Sequence, residues 1–162
     1  MNSFTIKQIT GNVLDSDAPI IAHQVNCQGV MGAGVAKCIR EKYPDIMFTY
    51  SRWCKTYDSN LLGMVLDYCT ENNQIIANCF AQDKTGSGRQ TNYEAFYSCL
   101  ENIRKSFDYY GFEHRIAFPY KIGCGLGGGD WDVILAMIKS VFGHDGDYTI
   151  ELWAIDGFDF AS

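Results

Sequence analysis

The chain has 162 residues, of which 47% are hydrophobic and 14% aromatic, and this is enough apolar material for one core of ordinary single-domain size. Thirteen Lys and Arg against nineteen Asp and Glu give a formal net charge of −6, which argues against nonspecific binding to a phosphate backbone or an anionic membrane. Any phosphate must therefore be bound locally. The sequence has no membrane-length apolar run and no signal-peptide pattern, so we expect a cytoplasmic protein without membrane contact.

The cysteines are seven in number, an odd count, and none of them forms a C-x-x-C pair. Most fall within predicted strands and helices. This pattern predicts buried free thiols in a reducing compartment and argues against a disulfide framework or a zinc site. The cysteines are Cys27, Cys38, Cys54, Cys69, Cys79, Cys99 and Cys124.

The N-terminal third of the chain is predicted to hold two strands and two helices. Residues 4–10 read as a strand that ends at a glycine, and residues 19–25 as a shorter, more buried strand. A helix is predicted over 34–42 and should stop before Pro44, because the residue preceding a proline disfavours the helical region. A second helix follows over 44–57, where apolar residues recur at the spacing of one buried face.

The middle of the chain predicts a β-hairpin. The segments 64–69 and 74–80 are apolar and flank the turn sequence TENN at 70–73. A polar loop with two glycines follows over 81–90, so this part of the chain should leave the sheet at that point.

The last third predicts two further helices and two strands. Thr91 followed by Glu94 is a capping-box pattern that should start a helix ending at Gly111. A strand is predicted over 115–120, and Asp130 should cap a helix that runs to about residue 142. Lastly, an alternating segment from Tyr148 to Ile155 predicts a strand that closes the sheet.

Strands that alternate with helices predict an α/β fold, here a three-layer α/β/α sandwich. The hairpin should add antiparallel pairing to an otherwise parallel sheet, which makes the central sheet mixed. We expect one domain over residues 1–155 and a frayed C-terminal tail over 156–162.

Two glycine-rich segments each leave a predicted strand and enter a predicted helix. The first glycine loop is residues 27–34 and the second glycine loop is residues 121–130. In an open α/β sheet such loops meet at the carboxyl ends of the strands, where backbone N–H groups and a helix N-terminus favour an anion. A pyrophosphate suits this arrangement; the alternative is that the glycines only form tight turns. The spacing G-x-x-G-x-G, with Lys37 where a final glycine belongs, departs from the dinucleotide-binding fingerprint.

Three segments together resemble the macrodomain family, the ADP-ribose-binding fold, over nearly the whole chain. They are ITGNVLDSDAPIIAHQVNCQGVMGAGVA, NCFAQDKTGSGRQTNYEAF and FPYKIGCGLGGGDW. Within that family the chain is similar to the branch that contains terminal ADP-ribose glycohydrolase, the DNA ADP-ribosyl glycohydrolase antitoxins and the yeast ADP-ribose-1″-phosphate phosphatase.

The resemblance implies a set of ligand contacts. Asn12 stands where many macrodomains carry an aspartate that contacts adenine, and its amide can accept the same hydrogen bond while also donating one. Tyr120 is implied to stack on a ribose or adenine, although an aromatic side chain packed at a strand end is an equal alternative. The other implied contacts are Asn26, Gln28, Gly29, Met31, Gly32, Gly34 and Val35 in and after the first glycine loop, and Gly123, Cys124, Gly125, Leu126 and Gly127 in the second.

The resemblance also implies three candidate catalytic residues. Lys84 matches a lysine that attacks C1″ in the glycohydrolases, which requires its amine to lose a proton against an ordinary pKa of about 10.4. Asp130 matches an aspartate of the DNA-directed antitoxins. The alternative is that it only caps a helix. His23 matches a histidine of the yeast phosphatase, and its alternative is a hydrogen-bonded core residue. Gly127 stands where the vertebrate glycohydrolase has an aspartate. This departure places in doubt whether the chain uses the full lysine-plus-aspartate mechanism of that enzyme.

The expected function is hydrolysis of a bond at the 1″ position of the distal ribose of ADP-ribose, without metal or cofactor. The leaving group is either phosphate or a modified macromolecule, and nucleic acid is expected only as a modified substrate. The alternative is a reader that binds ADP-ribose or a related nucleotide without turnover. We expect a monomer.

Overall fold

The computed structural model of the protein describes residues 4–86, 88, 90–125 and 127–158. Six strands form one sheet in the order β1-β6-β5-β2-β4-β3. Five of them are parallel, and β3 alone pairs antiparallel, with β4. The strands are β1 (Thr5–Thr10), β2 (Ile20–Asn26), β3 (Val65–Cys69), β4 (Ile75–Gln82), β5 (Arg115–Pro119) and β6 (Thr149–Ala154). The predicted hairpin and the mixed sheet are confirmed.

In the described part of the chain, four α-helices cover the two faces of the sheet. They are α1 (Gly34–Lys42), α2 (Ile46–Tyr57), α3 (Tyr93–Tyr110) and α4 (Trp131–Phe142). One buried apolar cluster joins α1 and α2 to the first face, and a second cluster joins α3 and α4 to the other face. Two short 3-10 helices, Val13–Asp15 and Asp58–Leu61, complete the described structure. The predicted three-layer sandwich is therefore confirmed.

Helix α2 shows how the sequence pattern gives this layering. Ile46, Tyr50 and Cys54 are spaced four residues apart and are buried in the core below the helix. Phe48 and Arg52 lie on the opposite side and are exposed. This arrangement leaves the outer side of α2 free of contacts with the core.

Three ends of two helices test the predicted caps. Asp130 caps α4 by accepting a hydrogen bond from the backbone N–H of Asp132 at 2.9 Å, as predicted. Gly111 ends α3 in the left-handed conformation, also as predicted. The predicted capping box at Thr91 is wrong. The N-cap of α3 is Asn92, whose side chain accepts a hydrogen bond from the backbone N–H of Ala95. The side chain of Thr91 bonds elsewhere.

The segment after β6 folds back on the domain as far as the structure describes it. Phe158 packs on Tyr120, with 4.6 Å between ring centroids. Phe158 thus packs against the second apolar cluster, and residues 159–162 lie outside the described residues. Among the residues that the structure describes, no helix combines the length and apolar character that crossing a membrane requires.

The strand order places a crevice between β5 and β2. These two strands are neighbours, but the chain after β2 enters α1 on one face of the sheet and the chain after β5 enters α4 on the other. Loops that diverge in this way at the carboxyl ends of parallel strands leave a gap between them, where ligands of open α/β sheets bind. Both glycine loops lie at this point.

Candidate functional site

The carboxyl edge of the sheet brings most of the candidate residues together. Asn12 follows β1, the first glycine loop follows β2, Lys84 follows β4, and the second glycine loop follows β5. Because these strands are parallel, the four segments lie at the same edge. His23 is the exception, since it lies within β2 three residues before the strand ends.

Asn26 fixes the shape of the first glycine loop. Its Oδ1 accepts hydrogen bonds from the backbone N–H groups of Gln28 at 3.0 Å and Val30 at 3.2 Å. Its Nδ2 donates to the Val30 carbonyl at 2.8 Å, and the Tyr50 hydroxyl donates to the Asn26 carbonyl at 2.6 Å. Asn26 is 7% exposed, so its amide holds the loop from inside.

The backbone at the end of the first glycine loop lies open to solvent. Gly32, Ala33 and Gly34 are exposed, and Gly34 has a φ of +58°, which favours glycine. Within the described chain no side chain caps the first N–H groups of α1, and α2 also has no side-chain cap, whereas α3 and α4 each have one. The α1 N-terminus therefore leaves backbone N–H donors and the positive end of the helix dipole available to an anion.

The first glycine loop is anchored from below and from one side. Met31, implied as a ligand contact, is 1% exposed and belongs to the core cluster under the loop. Gln28 Nε2 donates to the Asp83 carbonyl at 3.2 Å, and the Cys27 N–H donates to the same carbonyl at 3.1 Å. These bonds tie the loop to the segment that carries Lys84. Val35, another implied contact, is half-buried at the start of α1.

Thr91 holds the second glycine loop in place. Its hydroxyl donates to the Gly123 carbonyl at 2.7 Å and accepts from Gln24 Nε2 at 2.9 Å. The same Gln24 nitrogen lies 3.1 Å from Gln82 Oε1. The N–H groups of Gln90 and Thr91 also donate to the carbonyl of residue 127. We refer to Gln24, Gln82 and Thr91 as the polar clamp, because they join β2 and β4 to the loop.

Gly127 is packed against this clamp. A Cβ atom at Gly127 would lie 2.5 Å from Thr91 Oγ1, 2.7 Å from the Gly123 carbonyl and 2.8 Å from Gln24 Nε2. An aspartate at this position therefore requires a different loop conformation, which is a physical reason for the departure seen in the sequence. Gly125, by contrast, is exposed, and a Cβ atom there would have no heavy atom of the described residues within 4 Å. Leu126 lies outside the described residues.

Cys124 of the second glycine loop and Tyr120, just before this loop, both make packing contacts. Cys124 is half-buried, and burial together with the nearby Asp130 carboxylate raises the pKa of its thiol to about 11. Its Sγ contacts the Ile122 carbonyl at 3.5 Å. Tyr120 is half-buried between Trp131 and Phe158, at centroid distances of 5.3 and 4.6 Å. Packing contacts therefore hold both of these side chains in place.

Lys84 and Asp130 are exposed at this edge. Lys84 lies two residues beyond β4, and its backbone carbonyl accepts a hydrogen bond from Gln82 Nε2 at 2.7 Å. The Asp130 carboxylate caps α4, while its backbone N–H donates to the Tyr93 hydroxyl at 3.0 Å. Their exposure leaves both side chains accessible to a substrate lying across the loops.

His23 occupies a different environment. It is 1% exposed, and its Nε2 lies 2.6 Å from Asn78 Oδ1 on the adjacent strand β4. Burial lowers the pKa of His23 to about 4, against the opposing effect of that hydrogen bond. This geometry favours the interpretation as a hydrogen-bonded core residue.

Asn12 begins the 3-10 helix that follows β1. Its Oδ1 accepts from the backbone N–H of Leu14 at 2.9 Å. Trp153 of β6 lies beside the preceding residue, since a Cβ at Gly11 would be 3.3 Å from the Trp153 ring. Asn12 is half-buried where the chain leaves β1.

Three residues of the site were missed by sequence reasoning. They are Gln24, Thr91 and Asp83, which hold the two glycine loops by hydrogen bonds. Gln24 lies three residues before the first glycine loop, so its polar side chain in an apolar strand was the available signal. Thr91 and Asp83 gave no comparable signal, because threonine before a helix reads as a cap and aspartate in a loop reads as solvated.

The family model described as Macro domain matches residues 22–138. The match includes both glycine loops and the polar clamp. The chain belongs to the macro domain family. Its fold agrees with the solved macrodomain of Mycobacterium tuberculosis DarG, which is 22% identical, with a TM-score of 0.81 over 93% of this chain and 98% of that one. This likeness covers more of the chain than the family match does.

Several curated relatives of this macro domain are named as hydrolases. An ADP-ribose 1''-phosphate phosphatase of Candida albicans is 31% identical over 140 residues, which are 78% of this chain and 87% of that protein. The enzyme of the same name from Saccharomyces cerevisiae is 34% identical over 84 residues, 50% of this chain and 48% of its own length. A DNA ADP-ribosyl glycohydrolase of Mycobacterium bovis is 37% identical over 46 residues, 28% of this chain and 13% of its own.

Proposed function

We propose that this macro domain binds ADP-ribose across the two glycine loops and hydrolyses a bond at the 1″ position of the distal ribose. The names of the curated relatives support both parts of this proposal. Its substrates are then ADP-ribose 1″-phosphate or a macromolecule that carries ADP-ribose through C1″.

The observation that carries the proposal is the uncapped N-terminus of α1 at the point where β2 and β5 diverge. Exposed backbone at Gly32, Ala33 and Gly34 offers N–H donors there. A pyrophosphate is recognised well by such donors, because they supply local positive potential in a protein whose net charge is −6. The ligand would lie between the first and the second glycine loop.

Lys84 and Asp130 are the proposed reacting groups near C1″. Lys84 is exposed, so the loss of water that favours a neutral, nucleophilic amine would have to come from the bound substrate. Asp130 would orient or deprotonate the attacking group while it still caps α4. Positioning of C1″ by the glycine loops would supply much of the catalysis.

A reader function is the second candidate. It is favoured by the same exposure of Lys84 and by the close packing at Gly127, where an acidic side chain does not fit. In that case the site recognises ADP-ribose, and the bond at C1″ stays intact.

Calorimetry with ADP-ribose tests the binding proposal. Gly32→Glu places a negative side chain at the proposed pyrophosphate position, and we expect at least a tenfold loss of affinity. Ala136→Glu adds the same charge on the exposed side of α4 and should bind as the original chain does. Equal affinities of the two variants would refute the position of the pyrophosphate.

Turnover assays separate the enzyme from the reader. The substrates are ADP-ribose 1″-phosphate, a glutamate-linked ADP-ribosyl protein and ADP-ribosylated DNA. Lys84→Ala should keep ADP-ribose affinity and lose glycohydrolase activity, whereas Lys105→Ala on α3 should keep both. Binding without turnover of any of the three substrates would establish the reader function.

We also propose that the protein acts as a monomer in the cytoplasm. All seven cysteines are free thiols, which supports a reducing compartment. Light scattering at several protein concentrations would test the monomer, and a mass that rises with concentration would contradict it.

A further inference from the structure

A continuous chain of hydrogen bonds joins the backbone of Lys84 to the second glycine loop. Gln82, the last residue of β4, donates from Nε2 to the Lys84 carbonyl at 2.7 Å. Its Oε1 accepts from Gln24 Nε2 at 3.1 Å, and the same nitrogen donates to Thr91 Oγ1 at 2.9 Å. The Thr91 hydroxyl completes the chain by donating to the Gly123 carbonyl at 2.7 Å. The polar clamp therefore reaches beyond the second glycine loop to one of the proposed reacting groups.

The two carbonyl groups at the ends of this chain fix the direction of every bond in it. A carbonyl oxygen only accepts, so Gln82 must present its nitrogen to Lys84 and its oxygen to Gln24. Thr91 must likewise donate to Gly123 and accept from Gln24. Both amide protons of Gln24 are then used, and neither amide group can be turned over without breaking bonds.

Gln24 keeps this orientation although its own oxygen has no donor. Its Oε1 is buried and has no hydrogen-bond partner among the described residues. A buried acceptor without a donor is costly, and proteins tolerate such costs mainly at functional sites. The orientation instead provides the two donations from Nε2, to Gln82 and to Thr91, on which the continuity of the chain depends.

The first glycine loop holds the residue just before Lys84. The Asp83 carbonyl accepts from the backbone N–H of Cys27 at 3.1 Å and from Gln28 Nε2 at 3.2 Å. Two consecutive carbonyl groups are thus bound, that of Asp83 by the first glycine loop and that of Lys84, through Gln82, by the second. The exposed Lys84 side chain therefore extends from a backbone that is fixed relative to both loops.

We propose that Gln82 is a positioning residue for Lys84. It holds the Lys84 backbone at a set distance from the second glycine loop, so that the amine lies against the distal ribose of a ligand bound across both loops. Without this bond Lys84 would remain exposed, but its amine would spend less time at the ribose. This inference rests on the proposed function and adds a residue that acts through Lys84.

The labelling rate of the Lys84 amine tests this role whether or not the protein turns over a substrate. The protein is treated with an acetylating reagent in the presence and absence of saturating ADP-ribose, and mass spectrometry gives the rate at each lysine. In the original chain we expect ADP-ribose to slow acetylation of Lys84 about fivefold or more, because an amine held at the ribose is shielded. The exposed Lys105 and Lys139, on α3 and α4, are internal standards in the same sample and should be unaffected.

Two variants of Gln82 remove its bond to Lys84. In Gln82→Glu the carboxylate still accepts from Gln24 but has no proton to donate at neutral pH, whereas Gln82→Met removes both bonds without adding charge. With ADP-ribose at saturation, protection of Lys84 should fall below about twofold in each variant. The affinity for ADP-ribose, measured by calorimetry, should change by no more than about threefold, because Thr91 still holds the second glycine loop.

Gln74→Glu is the matched control for a loss of stability. Gln74 Nε2 also donates to backbone carbonyls, those of Ser16 and Ala18, each at 2.8 Å, but it lies just before the opposite end of β4. This variant should be destabilised to a similar extent and should keep the protection of Lys84. Where a substrate is turned over, the Gln82 variants should also lower kcat about tenfold and leave KM nearly unchanged.

Two results would overturn the positioning role. One is protection of Lys84 in both Gln82 variants that equals protection in the original chain. The other is ADP-ribose binding by the original chain without any protection of Lys84. Absence of ADP-ribose binding by the original chain would instead overturn the proposed function, and this inference with it.

Discussion

Lowering the pH should destabilise this protein through His23. Its Nε2 must donate to Asn78 Oδ1, because the Asn78 amide nitrogen already donates to the Leu66 carbonyl at 2.9 Å. The other ring nitrogen, Nδ1, is buried and has no hydrogen-bond partner among the described residues. Protonation of Nδ1 would therefore bury a charge without an acceptor, and the pKa of His23 is lowered by burial to about 4.

The sign and size of the effect follow from linkage. The pKa in the folded state lies below the ordinary value of 6.5, so between these two values the unfolded chain binds more protons. The contribution to stability is complete above pH 6.5 and is lost as the pH falls toward 4. Between about pH 7 and pH 5, this one group lowers the free energy of unfolding by about 2 kcal/mol.

Urea unfolding across this pH range measures the effect. His23→Gln keeps a hydrogen-bond donor without a titrating ring, and its stability should fall by about 2 kcal/mol less than that of the original chain. His144→Gln, at an exposed position, should follow the original chain. Carboxylates such as Glu151 titrate in all three proteins and cancel in the comparison. If the free energy of unfolding changed with pH by the same amount in His23→Gln and in the original chain, the neutral, buried state of His23 would be refuted.

Two further predictions concern the polar clamp. Gly127→Ala should destabilise the fold by about 1–3 kcal/mol, because its Cβ would overlap Thr91 Oγ1, whereas Gly125→Ala should be neutral; equal urea midpoints for both variants would show that the loop rearranges freely. Thr91→Val removes the bonds to the Gly123 carbonyl and Gln24 and should cost about 1–3 kcal/mol in the same assay, together with a loss of ADP-ribose affinity. Lost stability with full affinity would mean that the clamp does not position the second glycine loop for the ligand.

The elements of the fold followed from local patterns in the sequence. Apolar spacing located α2, the turn sequence at 70–73 located the hairpin, and Asp130 marked the start of α4. These features depend on residues within a few positions of one another. The glycine loops were found for the same reason, since each is continuous in sequence.

Contacts between distant parts of the chain could not be predicted in this way. Gln24 and Thr91 are 67 residues apart, and the donor role of Thr91 toward Gly123 depends on the packing of a loop a further 32 residues on. The side chain of Thr91 thus serves this contact, and the adjacent Asn92 caps α3 instead. The burial of His23 likewise depends on Asn78 of a neighbouring strand.

The position of Cys69 offers a place to attach a spectroscopic label. It is the one exposed cysteine of the seven, and burial raises the pKa of others, such as Cys27 to about 12. Since thiolates are the species that react with maleimides, labelling near neutral pH should favour Cys69. It lies at the end of the antiparallel strand β3, on the opposite edge of the sheet from the glycine loops. A dye there can report on tumbling and complex size without occupying the ligand crevice, and the native sequence needs no engineered attachment site.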